Sequence, residues 1–391
     1  MNIYPLNITT QENLRWICAK IGADYRALAY LAPKFRILHL YADDVDYRAA
    51  SFLKQEMLAR GGDTVVTKHV IDGKADKSDI LLMATPSQLH SLQEKLKAMD
   101  IWGLKEFREK LSDAVKGLNV HEWAMTSPAG HTITLSMNTQ IMAILNLTPD
   151  SFFAESRIDE KGILSRAEEC LRDGAYILDV GAESTRPGAE AVSEDEEIRR
   201  LVPALRVLRC HFSEVLISVD TYKPEVAKVA ASEGADIIND ISGFTFGDGM
   251  PETIAALKIP YVLSHITGTP KNMQAFENHE DIVRELAEYF AGKVAALEEA
   301  GVNRGNIILD PGLGFGKNSA DNFAVLRDIE SLSVWGLPVM AGHSRKRFTG
   351  DERLAGSVAV SALLAGRVSL LRVHDVKENM QALRIAKEMM N

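Results

Sequence analysis

Ile307-Ile-Leu-Asp-Pro-Gly-Leu-Gly-Phe-Gly-Lys317 is a short apolar run that ends on an acid and opens into a glycine-rich loop. Apolar and β-branched residues bounded by Pro and Gly read as a buried strand, which puts Asp310 at its C-terminal end. In parallel α/β folds the strand C-termini form the ligand face, and glycines beyond them let backbone N–H groups approach a ligand. Alone, the stretch reads equally well as a helix cap followed by a turn. Its weight comes from repetition, because the same grammar recurs along the chain.

Working outward, eight apolar strand-like runs alternate with amphipathic helical patterns. The runs are 141–145, 176–180, 215–219, 237–238, 261–263, 307–309, 338–341 and 370–373. Helical spacing covers 163–173, 194–210, 224–232, 279–300 and 356–366, and Gly174, Gly234 and Gly301 stand where a helix C-terminus wants a left-handed residue. Such alternation implies a parallel sheet, and eight units in about 250 residues fit a closed (β/α)8, or TIM, barrel. An open doubly wound sheet is the alternative, but no run is followed by the Gly-x-Gly-x-x-Gly fingerprint of dinucleotide folds.

Upstream lies a small α/β unit. Residues 35–41, 64–67 and 80–83 are strand-like, 47–60 has helical spacing closed by Gly61-Gly62, Pro86 opens a helix carrying Leu89, Leu92, Leu96 and Met99, and 104–115 is amphipathic. His69, His90, Asp43 and Asp44 read there as solvated or capping residues. Residues 123–135, with Ser127-Pro-Ala-Gly130 in the middle, read as a β-hairpin at the entrance of the barrel. The expected organisation is a small α/β accessory domain over 1–118 and a barrel over 119–391.

Composition narrows the function classes. A chain of 391 residues with 46% hydrophobic and 25% charged content is an ordinary globular one, and no apolar run reaches the length of a membrane span. The first residues lack a basic segment followed by an apolar core, so the cytoplasm is the default expectation and no membrane partner is expected. Cys18, Cys170 and Cys210 show no metal-ligand spacing and are expected reduced, in or near cores. A formal charge of -10 argues against a nucleic-acid footprint while leaving room for a local basic pocket.

Polar residues end nearly every strand: Asn146, Asp179, Asp220, Asn239 with Asp240, His265, Asp310, Ser344-Arg345-Lys346, and Arg372 with His374. One such residue is a helix cap; eight together converge on one barrel mouth, where enzymes of this architecture place their chemistry. Asp220, Asn239 and Asp310 are acceptors suited to a planar heterocycle offering several N–H donors. Arg372, His374, Lys346 and Arg186 are cationic and suited to phosphate or carboxylate. Together they suit a polar heterocycle with a phosphorylated arm. Thr148-Pro-Asp-Ser-Phe152 and Glu183-Ser-Thr-Arg-Pro-Gly188 read as candidate lids above that mouth.

In order along the chain, Asn146-Leu-Thr-Pro-Asp-Ser-Phe152, Glu183-Ser-Thr-Arg-Pro-Gly188, Asp220-Thr with Lys223-Pro224, Ile238-Asn-Asp-Ile-Ser-Gly243, Gly268-Thr-Pro270, Asp310-Pro-Gly-Leu-Gly-Phe315, Ser344-Arg-Lys346 and Arg372-Val-His374 resemble the signature blocks of dihydropteroate synthases. The resemblance spans about residue 120 to the end, and the opening domain resembles an extension found on some bacterial members. It implies a folate-pathway transferase that condenses 6-hydroxymethyl-7,8-dihydropterin diphosphate with 4-aminobenzoate. By resemblance, Asp220, Asn239, Asp310 and Lys346 would hold the pterin. Asn146, Arg372 and His374 would hold the diphosphate, Asn146 through Mg2+, while Thr185, Arg186, Pro187 and Phe315 would form the aminobenzoate site. Arg372, His374, Lys346 and Asp220 are the implied catalytic group, the implied course is dissociative, and a homodimer is implied. Two departures stand out. Phe153-Ala-Glu-Ser-Arg157 replaces the usual Ser-Asp-Gly-Gly, so an acid near Ala154 is absent with Glu155 nearest, and Ser264-His265-Ile266 replaces Met-His-Met, leaving His265 a structural partner or a ligand. The rival readings are a pterin-binding methyltransferase module serving a corrinoid protein, which would have no diphosphate to hold, and a non-catalytic paralogue.

Overall fold

A computed structural model describes residues 1–147, 153–154, 157–183, 192–276 and 278–390. The chain divides into two compact units, Met1–Gly117 and Leu118–Met389.

In the first unit, strands β1 (Leu38–Asp46), β2 (Asp63–Val66) and β3 (Lys77–Ala84) form an antiparallel sheet in the order β1-β3-β2. Helices α1 (Gln11–Ile21), α2 (Ala27–Leu31), α3 (Tyr47–Ala59), α4 (Pro86–Leu96) and α5 (Leu104–Gly117) accompany it. Alternation along β3 buries one face, so Ile80, Leu82 and Ala84 pack with Leu53 and Met57 of α3 and Leu89, Leu92 and Leu96 of α4. Each such aliphatic side chain contributes about 1.5–3 kcal/mol by leaving water. β1 departs from the expected 35–41. It begins later and runs on to Asp46, because a bulge between Ala42 and Val45 absorbs Asp43 and Asp44, the latter at φ 54°. Helix α1 carries no signal in the pattern because it buries only Leu14 and Cys18.

The second unit opens with the hairpin β4 (Glu122–Thr126) and β5 (Thr132–Ser136), with Trp123 opposite Leu135 and Met125 opposite Ile133. Then come β6 (Gln140–Asn146), the two-residue ladder β7 (Phe153–Ala154) and β8 (Arg157–Ile158), and β9 (Ile177–Gly181), β10 (Leu216–Asp220), β11 (Ile237–Asp240), β12 (Tyr261–Ser264), β13 (Ile307–Asp310), β14 (Met340–Ala341) and β15 (Leu370–Val373). Apart from the β7–β8 ladder these strands are parallel in the order β13-β12-β11-β10-β9-β6-β15-β14, and a bridge between Leu309 and Val339 joins the two ends. The fold is a TIM barrel with the eight expected strands. Helices α6 (Glu160–Arg172), α7 (Glu194–His211), α8 (Pro224–Ser232), α9 (Met250–Leu257), α10 (Ile282–Glu299), α11 (Ser319–Arg327), α12 (Arg353–Leu364) and α13 (Val376–Met390) follow the strands one each. Gly174, Gly234 and Gly301, behind α6, α8 and α10, all have positive φ, as a left-handed helix stop requires.

Side-chain alternation on the strands layers the interior. Met142, Ile177, Leu216, Ile237, Val262, Ile308, Met340 and Leu370, one from each strand, form an apolar floor with Met125, Ile133 and Leu135 of the hairpin, which covers the N-terminal end. Asp236, fully buried at that end, fastens the hairpin: it accepts from Ser127 Oγ and His131 Nδ1, both at 2.7 Å, from Ile217 N at 2.8 Å, and from Arg209. Two residues beyond the floor on each strand lie Ile144, Asp179, Ser218, Asn239, Ser264, Asp310, Gly342 and Arg372. The polarity switch from floor to mouth is thus written in the strand period. Cys18 and Cys170 are buried, but Cys210 is exposed on the outer side of α7, contrary to expectation. Among the described residues no helix is long and apolar enough to cross a membrane.

Candidate active site

Arg372 on β15 reaches Asp179 on β9 through Nε and Asp220 on β10 through Nη2, each at 2.6 Å. Asn239 on β11 donates from Nδ2 to the same Asp179 carboxylate, at 3.2 Å and 3.4 Å to its two oxygens. A carboxylate paired this way only accepts, so the amide orientation is fixed. Asn239 Oδ1 is left buried without a hydrogen-bond partner, as is Ser218 Oγ on the neighbouring β10. A buried acceptor left unpaired costs about 1–3 kcal/mol, which a ligand N–H would recover.

One guanidinium between two carboxylates leaves this cluster with an excess negative charge. Burial pushes the Asp220 carboxyl up to about 7, with Arg372 pulling it down and Asp179 adding to the rise. Burial works against the Arg372 charge, but Asp179 and Asp220 more than reverse it and hold the guanidinium above its ordinary range. The two shifts pull opposite ways for one ion pair; the geometry, with an always-protonated arginine 2.6 Å from each carboxylate, decides for a charged pair.

The stretch from Asp310 onward builds the adjacent wall. Asp310, at the end of β13, accepts from Gly312 N at 2.9 Å and from Ser264 Oγ at 3.3 Å. Gly312 has φ 63°, and a Cβ there would lie 1.8 Å from His265 O; at Gly314, φ 76°, a Cβ would lie 2.6 Å from Lys346 Cδ. These glycines let the loop close on β12 and let the Lys346 stem pass. Lys346 donates to Leu313 O, and its ammonium stands 3.9 Å over the Phe315 ring. Burial draws its pKa down to about 8, with Asp310 opposing. Beneath the loop, the buried Lys317 ammonium donates to His265 Nδ1 at 2.7 Å, Gly312 O at 3.1 Å and Phe315 O at 3.2 Å. Burial and the Lys317 charge press His265 down to about 2, so it is a neutral acceptor and a structural partner of the loop.

His374 is oriented from several sides. Ser344 Oγ accepts from His374 N and meets His374 Nδ1, each at 3.1 Å, while Arg166 donates to His374 O at 2.8 Å and Arg345 Nε holds the next residue, Asp375, at 2.9 Å. Asn146 is half-buried at the end of β6, across Gly181 from Asp220: a Cβ on Gly181 would lie 3.7 Å from both Asn146 Oδ1 and Asp220 Oδ2. Asp220, Asn239, Asp310, Lys346, Phe315, Arg372, His374 and Asn146 all come from the strand ends of one barrel mouth. Thr185, Arg186 and Pro187, and both candidate lids as far as 148–152 and 184–188, lie outside the described residues. Among the described residues no group of three or more His, Cys, Asp or Glu side chains could hold a metal ion by itself.

The family model described as pterin binding enzyme matches residues 142–374, from the first barrel strand through His374. The dihydropteroate synthase of Escherichia coli K12 is 40% identical over 270 residues, which cover 66% of this chain and 94% of that protein. The chain belongs to the dihydropteroate synthase family. A dihydropteroate synthase from Xanthomonas albilineans, solved with 4-aminobenzoic acid, superposes with a TM-score of 0.61 at 37% identity, covering 68% of this chain and 98% of that one. A probable bifunctional folylpolyglutamate synthase/dihydropteroate synthase from Halobacterium salinarum is 37% identical over 352 residues, 88% of this chain and 42% of that protein. That match is longer than the barrel unit, so it reaches into Met1–Gly117.

Within this dihydropteroate synthase fold, three residues carry more than the strand-end pattern assigns them. Asp179 is the shared partner of Arg372 and Asn239, Ser344 sets His374, and Lys317 shapes the loop of Phe315. Asp179 is visible in sequence as a polar residue on a buried strand. Its partners are not, because they come from strands that meet only on closure.

Proposed function

We propose that this chain is a dihydropteroate synthase, condensing 6-hydroxymethyl-7,8-dihydropterin diphosphate with 4-aminobenzoate to give 7,8-dihydropteroate and diphosphate. The observation that carries the reading is the buried, unpartnered Asn239 Oδ1 on β11, a strand that lies between those carrying Asp220 and Asp310, in a mouth that also holds Arg372, Lys346 and His374. A pterin edge presents the N–H donors this set lacks, and a site built on buried acceptors rejects rings without them.

Asp220, Asn239 and Asp310 bind the pterin, and Lys346, held between Leu313 O and the Phe315 ring, contributes its ammonium to the same ring. Arg372 and His374 receive the diphosphate. The C–O bond to the diphosphate breaks with its electron pair going to oxygen, leaving a methylene cation conjugated with the ring. The aminobenzoate nitrogen then forms the new C–N bond and loses its proton. Asp179 and Asp220 hold Arg372 charged, so that a fixed positive group faces the developing negative charge without reorganisation. Phe315 offers an apolar wall to the benzoate ring, with Thr185, Arg186 and Pro187 as its assigned companions.

Mg2+ fits the donor set. Asn146 offers one hard amide oxygen beside Asp220, and Mg2+ commonly takes one or two protein oxygens together with substrate phosphates and water. When bound, the ion supplies neutralisation of diphosphate charge. Exposed Leu354 and Leu363 on α12 and Ile385 and Met389 on α13 support a homodimer through barrel helices, and the lack of a spanning helix among the described residues is compatible with a cytoplasmic enzyme.

The test is dihydropteroate detected by mass, with diphosphate release, from the full chain given the pterin diphosphate, 4-aminobenzoate and Mg2+. Product that depends on both organic substrates is the expected result. Pterin binding without product would refute the synthase assignment.

A further inference from the structure

Residues 343–346 turn sharply beyond β14, with Lys346 N donating to His343 O at 3.3 Å and Arg345 at φ 58° in the left-handed region. A residue other than glycine stays there only where its surroundings hold it. Here the surroundings are two helices. Arg345 N donates to Ser357 Oγ of α12 at 2.8 Å, and Arg345 Nε donates to Asp375 Oδ2, just before α13, at 2.9 Å. Helix α12 lies so close to the chain beyond the turn that a Cβ on Gly356 would be 1.7 Å from Thr349 O.

Behind the turn runs a hydrogen-bond chain whose direction is fixed. Asp375 O can only accept, so Asn379 of α13 faces it with Nδ2, at 2.6 Å, and turns Oδ1 to Ser361 of α12. That oxygen takes the Ser361 hydroxyl proton at 2.6 Å, which leaves Ser361 Oγ to accept from His343 Nε2 at 2.9 Å. The same nitrogen meets Ser357 O, another acceptor, at 3.0 Å. Burial draws His343 down to about 4, so its ring is neutral and carries its one proton on Nε2. His343, Ser357, Ser361 and Asn379 are fully buried. The chain therefore starts at the residue before Ser344 and ends at the residue after His374, and those two meet at the mouth, Ser344 Oγ 3.1 Å from both His374 N and Nδ1.

We propose that the Ser361–Asn379 link is a positioning device: by tying His343 to Asp375 it fixes Ser344 against His374 and so sets the affinity for the diphosphate arm of the first substrate. The identity of that arm rests on the synthase reading. Lys346 has its own anchors at Leu313 O and the Phe315 ring, and Asp220, Asn239 and Asp310 stand on other strands, so the ring of the same substrate is held independently of the link.

Titration calorimetry on the full chain separates the two ends of the ligand, with 6-hydroxymethyl-7,8-dihydropterin diphosphate as one probe and the same pterin alcohol without phosphate as the other. Asn379→Leu removes both bonds of the link at similar volume. It should weaken Kd for the diphosphate about tenfold and Kd for the alcohol less than about twofold, since lost anchorage at one subsite is felt there first. Ser361→Ala, which removes a single hydroxyl, should shift the diphosphate Kd the same way by about threefold and carries the test should Asn379→Leu not fold. In both variants hydrogen exchange should accelerate in peptides covering 342–347 and 371–376 and stay at wild-type rates over 216–220. Equal weakening of both ligands, or an unmoved diphosphate Kd in a folded variant, would overturn the positioning role. Unchanged exchange in both segments would overturn the link itself. Should the wild-type chain bind neither probe, the failure belongs to the synthase reading, and exchange still decides the link.

Discussion

Replacing Asp179 by Asn removes the charge facing Arg372 Nε while keeping an oxygen near it. Breaking a buried ion pair at one partner costs about 3–5 kcal/mol, so steady-state kinetics of Asp179→Asn should show kcat/KM falling by about 100-fold or more. A near-normal value would mean that Arg372 does not need Asp179. Gly314→Ala forces a Cβ to 2.6 Å from the Lys346 stem at φ 76°, whereas Gly350, φ 96°, has nothing within 4 Å. Titration calorimetry should therefore show pterin binding weakened about tenfold in Gly314→Ala and little changed in Gly350→Ala, although both substitutions strain the backbone. Lys317 gives a pH signature. Burial lowers its pKa to about 7 from 10.5, so between those values the unfolded chain holds more protons than the folded one, and this group's contribution to stability rises with pH. It is fully present above 10.5 and lost as pH falls through 7. Denaturant melts across pH 7 to 10 should show a flatter rise for Lys317→Met than for wild type.

The hairpin β4–β5 is an element whose role is stability, since it closes the barrel end opposite the mouth. Asp236→Ala strips an acceptor from Ser127, His131, Arg209 and Ile217 and leaves a buried arginine short of its partner. Thermal melts should drop by several degrees, while kcat measured well below the melting range stays within about twofold of wild type. A large loss of kcat without a change in melting would contradict this division between the two barrel ends. The eight strands are legible in sequence because each is a short apolar run ending on a polar residue. Helices α9, α11 and α13 are less so. Helix α9 has only eight residues, and α11 buries Asp321 and Asn322 where the periodic pattern calls for apolar side chains. The β1 bulge is equally hidden, since Asp43-Asp44 looks like the end of a strand until pairing with β3 carries the ladder past it.

At the scale of the molecule, Met1–Gly117 has its own core and the barrel has another. The E. coli relative is matched over 94% of its length by 66% of this chain, so a protein of barrel size suffices in that relative. Residues 118–391 expressed alone should fold and turn over within about threefold of the full chain, checked by circular dichroism and product formation. Loss of turnover with a folded barrel would give the first unit a part in the reaction. The sequence by itself determined the barrel and the residue types at the strand ends, because strand period and strand-end polarity are local properties of the chain. Tertiary structure alone decided that Arg372 lies between Asp179 and Asp220, that Asn239 Oδ1 is left without a partner, that His265 serves Lys317, and that Lys223 joins Glu183, Glu197 and Val192. Those relations join residues dozens to nearly two hundred positions apart, and only closing the barrel brings such groups within hydrogen-bond reach, where burial fixes which partner each must take.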